Sequence, residues 1–191
     1  NITCGEGGCI VSDDADLLNR VKTARLLGVE NDTEKRLAGE RSWDFDVTRQ
    51  GWRYHMNNIS AAIGIEQLKR FEYFSQKRQS LAEEYNKQLS LLSKFVLLPS
   101  NYREVVPHIY PIRIIGLQSR NALRKKLLDV GIETGVHYFP NHLHTFFASD
   151  ETKHLPVTED VFGEMLTLPL HVDMGKKEVR YICQKLFEFC S

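Results

Sequence analysis

The sequence predicts an α/β fold, and two observations support this prediction. Short apolar runs of strand length, at residues 9–11, 108–115 and 132–139, are separated by longer segments whose apolar residues recur at three- and four-residue steps. Gly, Pro, Ser or Asp stands at most of the boundaries between these segments, where turn and capping residues are expected. Strands that alternate with helices are typical of the α/β class.

The first elements follow from apolar and capping residues. The run Cys9-Ile10-Val11 predicts a buried strand. Ser12-Asp13-Asp14 then offers capping side chains to a helix, and Gly28 suits the C-terminal end of that helix. Residues 29–50 are mostly polar, which indicates a loop with a short extended piece.

A long helix is predicted over residues 59–92. Its apolar residues form a continuous stripe without Pro, and Pro99 ends this part of the chain. We expect a helix of this length to bridge two domains. The predicted domains are therefore residues 1–93, with the interdomain helix, and residues 94–191, a small C-terminal α/β domain.

The second section is predicted to begin with a strand over residues 108–115, in which Pro111 favours an edge position or a bulge. Ser119 caps a helix that ends at Gly131, and residues 132–139 form the next strand. The remaining predicted elements are a short helix after Thr158, the stretch TLPLH and a terminal helix with Val179, Ile182 and Leu186 on one face.

Composition excludes several classes of function. The 191 residues carry 25 Lys and Arg against 25 Asp and Glu, so no basic excess points to nucleic acid. The longest apolar runs are too short to cross a bilayer. The four cysteines lack metal-site spacing, and we expect buried free thiols in a reducing compartment. A cytoplasmic protein without nucleic-acid or membrane partners is predicted.

Three stretches carry groups suited to chemistry. The first, Gly5-Glu6-Gly7-Gly8, allows close approach of the backbone to a ligand, but a plain turn is the favoured interpretation. The second, residues 51–58, places Arg53 and His55 just before a helix start, where anions are attracted. This favours a phosphate site, with a solvated loop as the alternative.

The third stretch, residues 135–144, contains His137, His142 and His144. Zinc would need further ligands, and no carboxylate or thiol lies at a supporting spacing, so no metal site is predicted. Polar groups that line a pocket at the end of a strand are the favoured interpretation.

Four motifs occur in order along the chain. They are N-I-T-C-G-E-G-G from Asn1, G-W-R-Y-H-M-N-N-I-S-A-A-I-G-I-E-Q-L from Gly51, G-V-H-Y-F-P-N-H-L-H from Gly135 and L-T-L-P-L-H from Leu166. In this order they strongly resemble the DegT/DnrJ/EryC1/StrS family of aminotransferases, which use pyridoxal 5′-phosphate (PLP) and act on nucleotide-linked keto sugars. The match runs from the first residue nearly to the last.

This resemblance implies the later part of a fold-type-I PLP-dependent aminotransferase, with the end of the large domain followed by the small domain. It implies a homodimer with shared active sites. The expected substrates are a nucleotide-linked keto-deoxy sugar and an amino-acid donor, L-glutamate in most of the family. Such enzymes serve the biosynthesis of cell-surface polysaccharides or of secondary-metabolite sugars.

The resemblance also implies where the catalytic lysine lies. In the family, the Schiff-base lysine immediately precedes the N-I-T-x-G-E-G-G segment. We therefore expect this lysine to precede Asn1, and no catalytic residue is assigned within residues 1–191. We also expect the first half of the large domain to lie outside this sequence.

The site residues implied by the resemblance fall into two pairs. Arg53 and His55 match positions that reach the cofactor phosphate of the partner subunit. The family usually has Asn and Arg there, so this chain departs at both, and the departure weakens the assignment most at His55. His137 and Tyr138 match a strand-end pair near the sugar.

Two other functions stay open. Some family members carry His in place of the lysine and act as nucleotide-sugar 3-dehydratases, and the residue before Asn1 would decide this. A regulatory homologue without catalysis is the second alternative, since a fold does not fix its chemistry. A soluble α/β domain with chance motifs would require four ordered matches by accident, so we reject it.

Overall fold

A computed structural model describes residues 1–29, 38–39, 45–97, 105–148 and 154–190. The chain divides into two compact units. The first unit is Ile2–Lys69, and the second is Arg70–Ser191 together with Asn1. The division into domains 1–93 and 94–191 stays a prediction. Most of the predicted loop at residues 29–50, including Trp43, lies outside the described residues.

In its described residues, the first unit contains two helices, α1 (Ala15–Ala24) and α2 (Asn58–Lys69). Asp14 caps α1 as predicted, because its carboxylate accepts a hydrogen bond from Leu17 N–H over 3.0 Å. The predicted strand at residues 9–11 is wrong. No described segment pairs with it, and Val11 is 90% exposed. A strand without a partner leaves its backbone donors and acceptors unpaired, so the apolar run alone does not form one.

Two glycines allow a close approach of two backbone segments in the first unit. A Cβ on Gly51 would lie 1.9 Å from Gly28 N, and a Cβ on Gly28 would lie 2.2 Å from Arg49 O. Gly28 also has a φ of +78°, which other residues rarely adopt. Gly28 lies four residues beyond the last residue of α1, near the helix end at which the sequence placed it.

The second unit mixes helices with a small sheet. Its elements are α3 (Phe71–Leu89), β1 (Phe95–Leu97), β2 (Tyr110–Ile114), α4 (Arg120–Asp129), a 3-10 turn (Asn141–Leu143), α5 (Pro156–Glu164), β3 (Met165–Leu168) and α6 (Lys176–Cys190). The predicted helices between Ser119 and Gly131 and at the C-terminus are confirmed. Ser119 caps α4 by accepting from Ala122 N–H over 3.2 Å.

The sheet is antiparallel, with the strand order β1-β2-β3. Pro111 therefore lies in the central strand, and its predicted edge position is wrong. It lies opposite Thr167 of β3, one residue before the Ile112–Ile114 segment that is described as paired with β1. Because Pro111 precedes that segment, its missing N–H removes no described hydrogen bond to β1.

The core of the second unit lies between the sheet and the helices. Two tyrosines are fully buried at its centre, where the Tyr85 and Tyr110 rings stack with centroids 4.6 Å apart. Each hydroxyl group has a partner, since Tyr85 donates to Pro169 O over 2.9 Å and Tyr110 bonds to Asn86 Oδ1 over 2.5 Å. Buried aromatic rings with satisfied hydroxyl groups give this core a defined packing.

Two further expectations need correction. The predicted single helix over residues 59–92 is instead two helices, of which the first ends at Lys69 and the second begins at Phe71. Arg70, with φ −95° and ψ 0°, interrupts the series of helical hydrogen bonds between them. The predicted strand at 132–139 is reduced to a single bridge between Gly135 and Thr167. None of the helices in the described ranges is long and apolar enough to cross a membrane.

Candidate active site

The segment after Gly51 is fixed against the end of α1 by backbone hydrogen bonds. Trp52 N–H donates to Ala24 O over 2.7 Å, and Tyr54 N–H donates to Arg25 O over 2.9 Å. The Trp52 and Tyr54 rings lie nearly parallel, with centroids 6.2 Å apart and an interplanar angle of 10°. They therefore project to the same side of this short extended piece, as alternate residues do.

Arg53 lies between these two aromatic residues and projects to the other side. Its backbone forms an antiparallel bridge with Leu26, and its side chain is exposed. Among the described residues, the guanidinium has no side-chain hydrogen bond or ion pair. A fixed backbone with an uncompensated guanidinium can receive a dianion such as a phosphate.

His55 faces a different space from Arg53. It lines a cavity of about 1040 Å³ within the first unit, together with Trp52, Tyr54 and the loop Glu6–Ile10. We call this the glycine-loop cavity. Arg53 does not line it, so the structure does not bring the two predicted cofactor residues into one cavity.

The glycine loop owes its shape to backbone conformations that favour glycine. Gly5 has a φ of +85° and Gly7 a φ of +149°. A Cβ on Gly7 would lie 3.0 Å from Met56 Cε, so a side chain there would press on the cavity wall. The sequence favoured a plain turn at this motif, and the structure shows a bend whose residues also line a cavity.

His137 and Tyr138 follow a point where the chain pairs with the edge of the sheet. Gly135 and Thr167 exchange two backbone hydrogen bonds, each of 2.9 Å. His137 Nδ1 lies 3.0 Å from Thr167 Oγ1. The His137 and Tyr138 rings meet edge to face, with centroids 4.8 Å apart and an interplanar angle of 90°. Sheet pairing and ring contact together fix this pair.

The two residues nevertheless line different cavities of the second unit. The histidine cavity, of about 560 Å³, includes His108, His137 and His171 in its lining. The tyrosine cavity, of about 610 Å³, is lined by Tyr138, Phe139, Asn141, His142, Phe147 and Leu155. Tyr138 is 68% exposed, and its hydroxyl has no partner among the described residues. It is therefore free to bind a polar ligand.

His142 forms part of the wall of the tyrosine cavity. Its ring is buried, and Nε2 lies 3.2 Å from Glu159 Oε1. The same carboxylate oxygen accepts from Leu155 N–H over 2.9 Å. The hydrogen bond from Leu155 N–H and, to a smaller extent, the contact with His142 hold the pKa of Glu159 below its ordinary value. Glu159 therefore stays ionised and connects His142 to the start of α5.

No group of three or more metal-ligating side chains occurs among the residues that the structure describes. In that part of the chain, His142 bonds to Glu159 and the His144 ring packs on Phe139 with centroids 4.8 Å apart. Sequence reasoning missed Glu159 and Thr167, since their partners are 17 and 30 residues away along the chain. The expectation of buried thiols holds for Cys183, whereas Cys4 and Cys190 are partly exposed and Cys9 is exposed.

Comparison with known proteins identifies relatives over nearly the whole chain. A Methanocaldococcus jannaschii protein of undescribed activity, MJ1066, is 31% identical over 94% of this chain. A Campylobacter jejuni UDP-4-amino-4,6-dideoxy-N-acetyl-beta-L-altrosamine transaminase is 30% identical over 97% of it. The chain spans about half the length of these relatives, 48% in each case.

Solved structures show the same fold. The sugar aminotransferase CalS13 from Micromonospora echinospora superimposes with a TM-score of 0.79 at 27% identity, over 98% of this chain and 48% of that one. Spr1654 from Streptococcus pneumoniae in its PMP form gives a TM-score of 0.79 at 27% identity, over 96% and 47%. Spr1654 has also been solved in a PLP form. The predicted fold class is confirmed, since these neighbours are fold-type-I enzymes.

The description of the matching family model agrees with the four ordered motifs. Aminotransferases of this family depend on PLP, in keeping with the PLP and PMP forms of Spr1654. The family model matches residues 1–187, and the chain therefore belongs to the DegT/DnrJ/EryC1/StrS aminotransferase family.

Proposed function

We propose that this protein is a PLP-dependent aminotransferase that transfers an amino group from L-glutamate to a nucleotide-linked keto-deoxy sugar. The observation that carries the proposal is the family match over residues 1–187. The Campylobacter jejuni relative is a transaminase of a UDP-linked amino sugar. A UDP-linked keto-deoxy sugar is therefore the first acceptor to test.

The donor set of the first unit fits the phosphate of PLP. Arg53 presents a guanidinium on a segment held by backbone pairing with the end of α1, and no described carboxylate neutralises it. We propose that it binds the cofactor phosphate of the partner subunit in a homodimer. His55 lines the glycine-loop cavity instead, and we assign it a weaker role near the cofactor. When bound, PLP supplies an electron sink and carries the amino group between the two substrates.

The sugar is assigned to the second unit. Tyr138 has a largely exposed phenol over the tyrosine cavity, and the His137 ring supports it. A phenol can both donate and accept hydrogen bonds, which suits a sugar hydroxyl group. The pair therefore serves the sugar, with Tyr138 in direct contact.

The activity itself is tested with the full-length protein, PLP, L-glutamate and a UDP-linked keto-deoxy sugar. We expect formation of 2-oxoglutarate together with an aminated nucleotide sugar detected by mass spectrometry. A product that has lost water without gaining nitrogen would instead identify a 3-dehydratase. Absence of any product from a panel of nucleotide-linked keto sugars, with PLP bound, would favour a regulatory homologue.

The sugar assignment is tested by Tyr138→Phe in the full-length enzyme. We expect the Michaelis constant for the nucleotide sugar to rise about threefold to tenfold, because one hydrogen bond to the sugar is lost. The half-reaction with the amino donor should remain nearly unchanged. Tyr73→Phe, which removes an exposed phenol hydroxyl on α3, is the matched control. If the two half-reactions were slowed equally, Tyr138 would act on the cofactor, which both half-reactions use, and not on the sugar.

A further inference from the structure

Thr167 lies at the centre of the contacts that hold the His137–Tyr138 pair. It belongs to β3, is 4% exposed, and pairs through its backbone with Gly135 on one side and with Pro111 of β2 on the other. Its hydroxyl oxygen lies 3.0 Å from His137 Nδ1. A buried threonine fixed on both sides is a rigid support for the imidazole.

Gly135 makes room for the same ring. A Cβ on Gly135 would lie 2.7 Å from His137 Cε1 and 3.2 Å from His137 Nδ1, so the imidazole lies directly over the glycine. The ring is therefore held between an open backbone surface and the Thr167 hydroxyl. Its edge-to-face contact with Tyr138 extends this order to the phenol.

We propose that Thr167 is a positioning residue for the sugar-binding residue Tyr138, acting through the His137 ring. The threonine hydroxyl fixes the imidazole, and the imidazole limits the positions that the exposed phenol can take. Preorganisation of this kind favours binding because fewer side-chain conformations are lost when the sugar binds. The inference rests on the proposed sugar-binding role of Tyr138.

The geometry also assigns His137 a role different from that of Tyr138. His137 lines the histidine cavity and not the tyrosine cavity, so it acts on the sugar through its neighbour. The hydroxyl of Thr167 can donate to Nδ1 or accept from it, so it can hold the imidazole in this position in either neutral tautomer.

The experiment compares two substitutions at Thr167 in the full-length enzyme. Thr167→Val keeps the shape and removes the hydroxyl, whereas Thr167→Ser keeps the hydroxyl. We expect Thr167→Val to raise the Michaelis constant for the nucleotide sugar about threefold to tenfold, with kcat and the donor half-reaction little changed. Thr167→Ser should restore most of the lost affinity, which a purely structural defect at β3 would not explain.

A second substitution keeps the proposal testable if Thr167→Val fails to fold. Gly135→Ala forces the His137 ring out of its place and leaves the Thr167 side chain unchanged, and should raise the same Michaelis constant. An unchanged Michaelis constant in a folded Thr167→Val enzyme, with Tyr138→Phe impaired, would overturn the positioning role alone. An unimpaired Tyr138→Phe enzyme would overturn the sugar role on which the inference rests.

Discussion

Arg53 presents its charge to solvent from a backbone segment that is itself well fixed. We predict that Arg53→Ala in the full-length enzyme weakens PLP retention about tenfold or more, since a charge-assisted pair with the phosphate is lost. Retention is measured as the fraction of PLP absorbance that survives dialysis.

Arg20→Ala removes an exposed cation from α1 of the same unit and is the matched control for Arg53→Ala. It should leave PLP retention unchanged. Equal retention in both variants would show that Arg53 does not contact the cofactor phosphate.

A side chain at Gly51 is excluded by lack of space rather than by the backbone conformation. A Cβ there would lie 1.9 Å from Gly28 N and 2.3 Å from Leu27 C, and neither is the end of a flexible side chain. We predict that Gly51→Ala lowers the free energy of unfolding by about 2 kcal/mol or more, measured by urea unfolding. Gly8→Ala, with nothing within 4 Å of the added Cβ, is the control and should have little effect.

Helices α3 and α6 are joined by an ion pair at the border of the core. Arg180 Nε donates to Glu84 Oε1 over 2.8 Å, and Gln88 donates to the same oxygen over 3.0 Å. The Arg180 hydrogen bond, against the opposing effect of burial, holds the pKa of Glu84 below its ordinary value of 4.5. The unfolded chain therefore takes up the proton at a higher pH than the folded one.

The pH dependence of this pair follows from the lowered pKa. Its contribution to stability is complete above about pH 4.5 and disappears as the pH falls through the folded-state pKa. We predict that Glu84→Gln destabilises the protein by about 1 kcal/mol at neutral pH. The effect is no larger because the Arg180 side chain is largely exposed to solvent, which weakens the ion pair. The difference from wild type should shrink in urea unfolding below pH 4.5.

Glu83→Gln, on the exposed side of α3, is the control for this pH dependence. It should show no such change with pH. If the free energy of unfolding differed by the same amount between Glu84→Gln and wild type at all pH values, Glu84 would not be the titrating group.

Elements with local signals could be predicted, and those that depend on distant partners could not. The caps Asp14 and Ser119 define the starts of α1 and α4, because capping uses residues three positions away. The break at Arg70 has neither Pro nor Gly to announce it. The strand at 9–11 failed because pairing is non-local, and an apolar run cannot show whether a partner is present.

The same contrast applies to the candidate site. The motif order identified the family and led to the prediction that the adjacent residues His137 and Tyr138 serve the sugar. The supporting residues come from elsewhere along the chain, since Thr167 of β3 contacts His137 and Glu159 of α5 contacts His142. The pairing of Gly135 with β3 brings Thr167 to His137, and no spacing in the sequence encodes this pairing.

The two units differ in how far their apolar side chains are covered. Neither α1 nor α2 has a buried residue, and Ile59 and Leu68 are 77% and 62% exposed. The second unit, in contrast, has a continuous core from α3 to α6. Apolar faces of this extent in the first unit indicate surfaces that need a covering.

We predict that residues 1–191 expressed alone bind a hydrophobic dye such as ANS and form aggregates, because the first unit leaves its apolar faces exposed. Dye fluorescence and size-exclusion chromatography measure this, with the full-length protein as the control. The chain alone should also fail to retain PLP or transaminate. A soluble, dye-silent and active preparation of residues 1–191 would contradict the prediction.

The tryptophans and the stacked tyrosines of the core give residues 1–191 two separate optical signals. Both tryptophans, Trp43 and Trp52, fall within Ile2–Lys69, whereas Tyr85 and Tyr110 lie in the core of the second unit. Indole emission excited at the red edge of its band therefore originates in the first unit only. The near-ultraviolet dichroism of the immobilised phenol pair originates in the second. One sample carries an independent spectroscopic reporter for each unit.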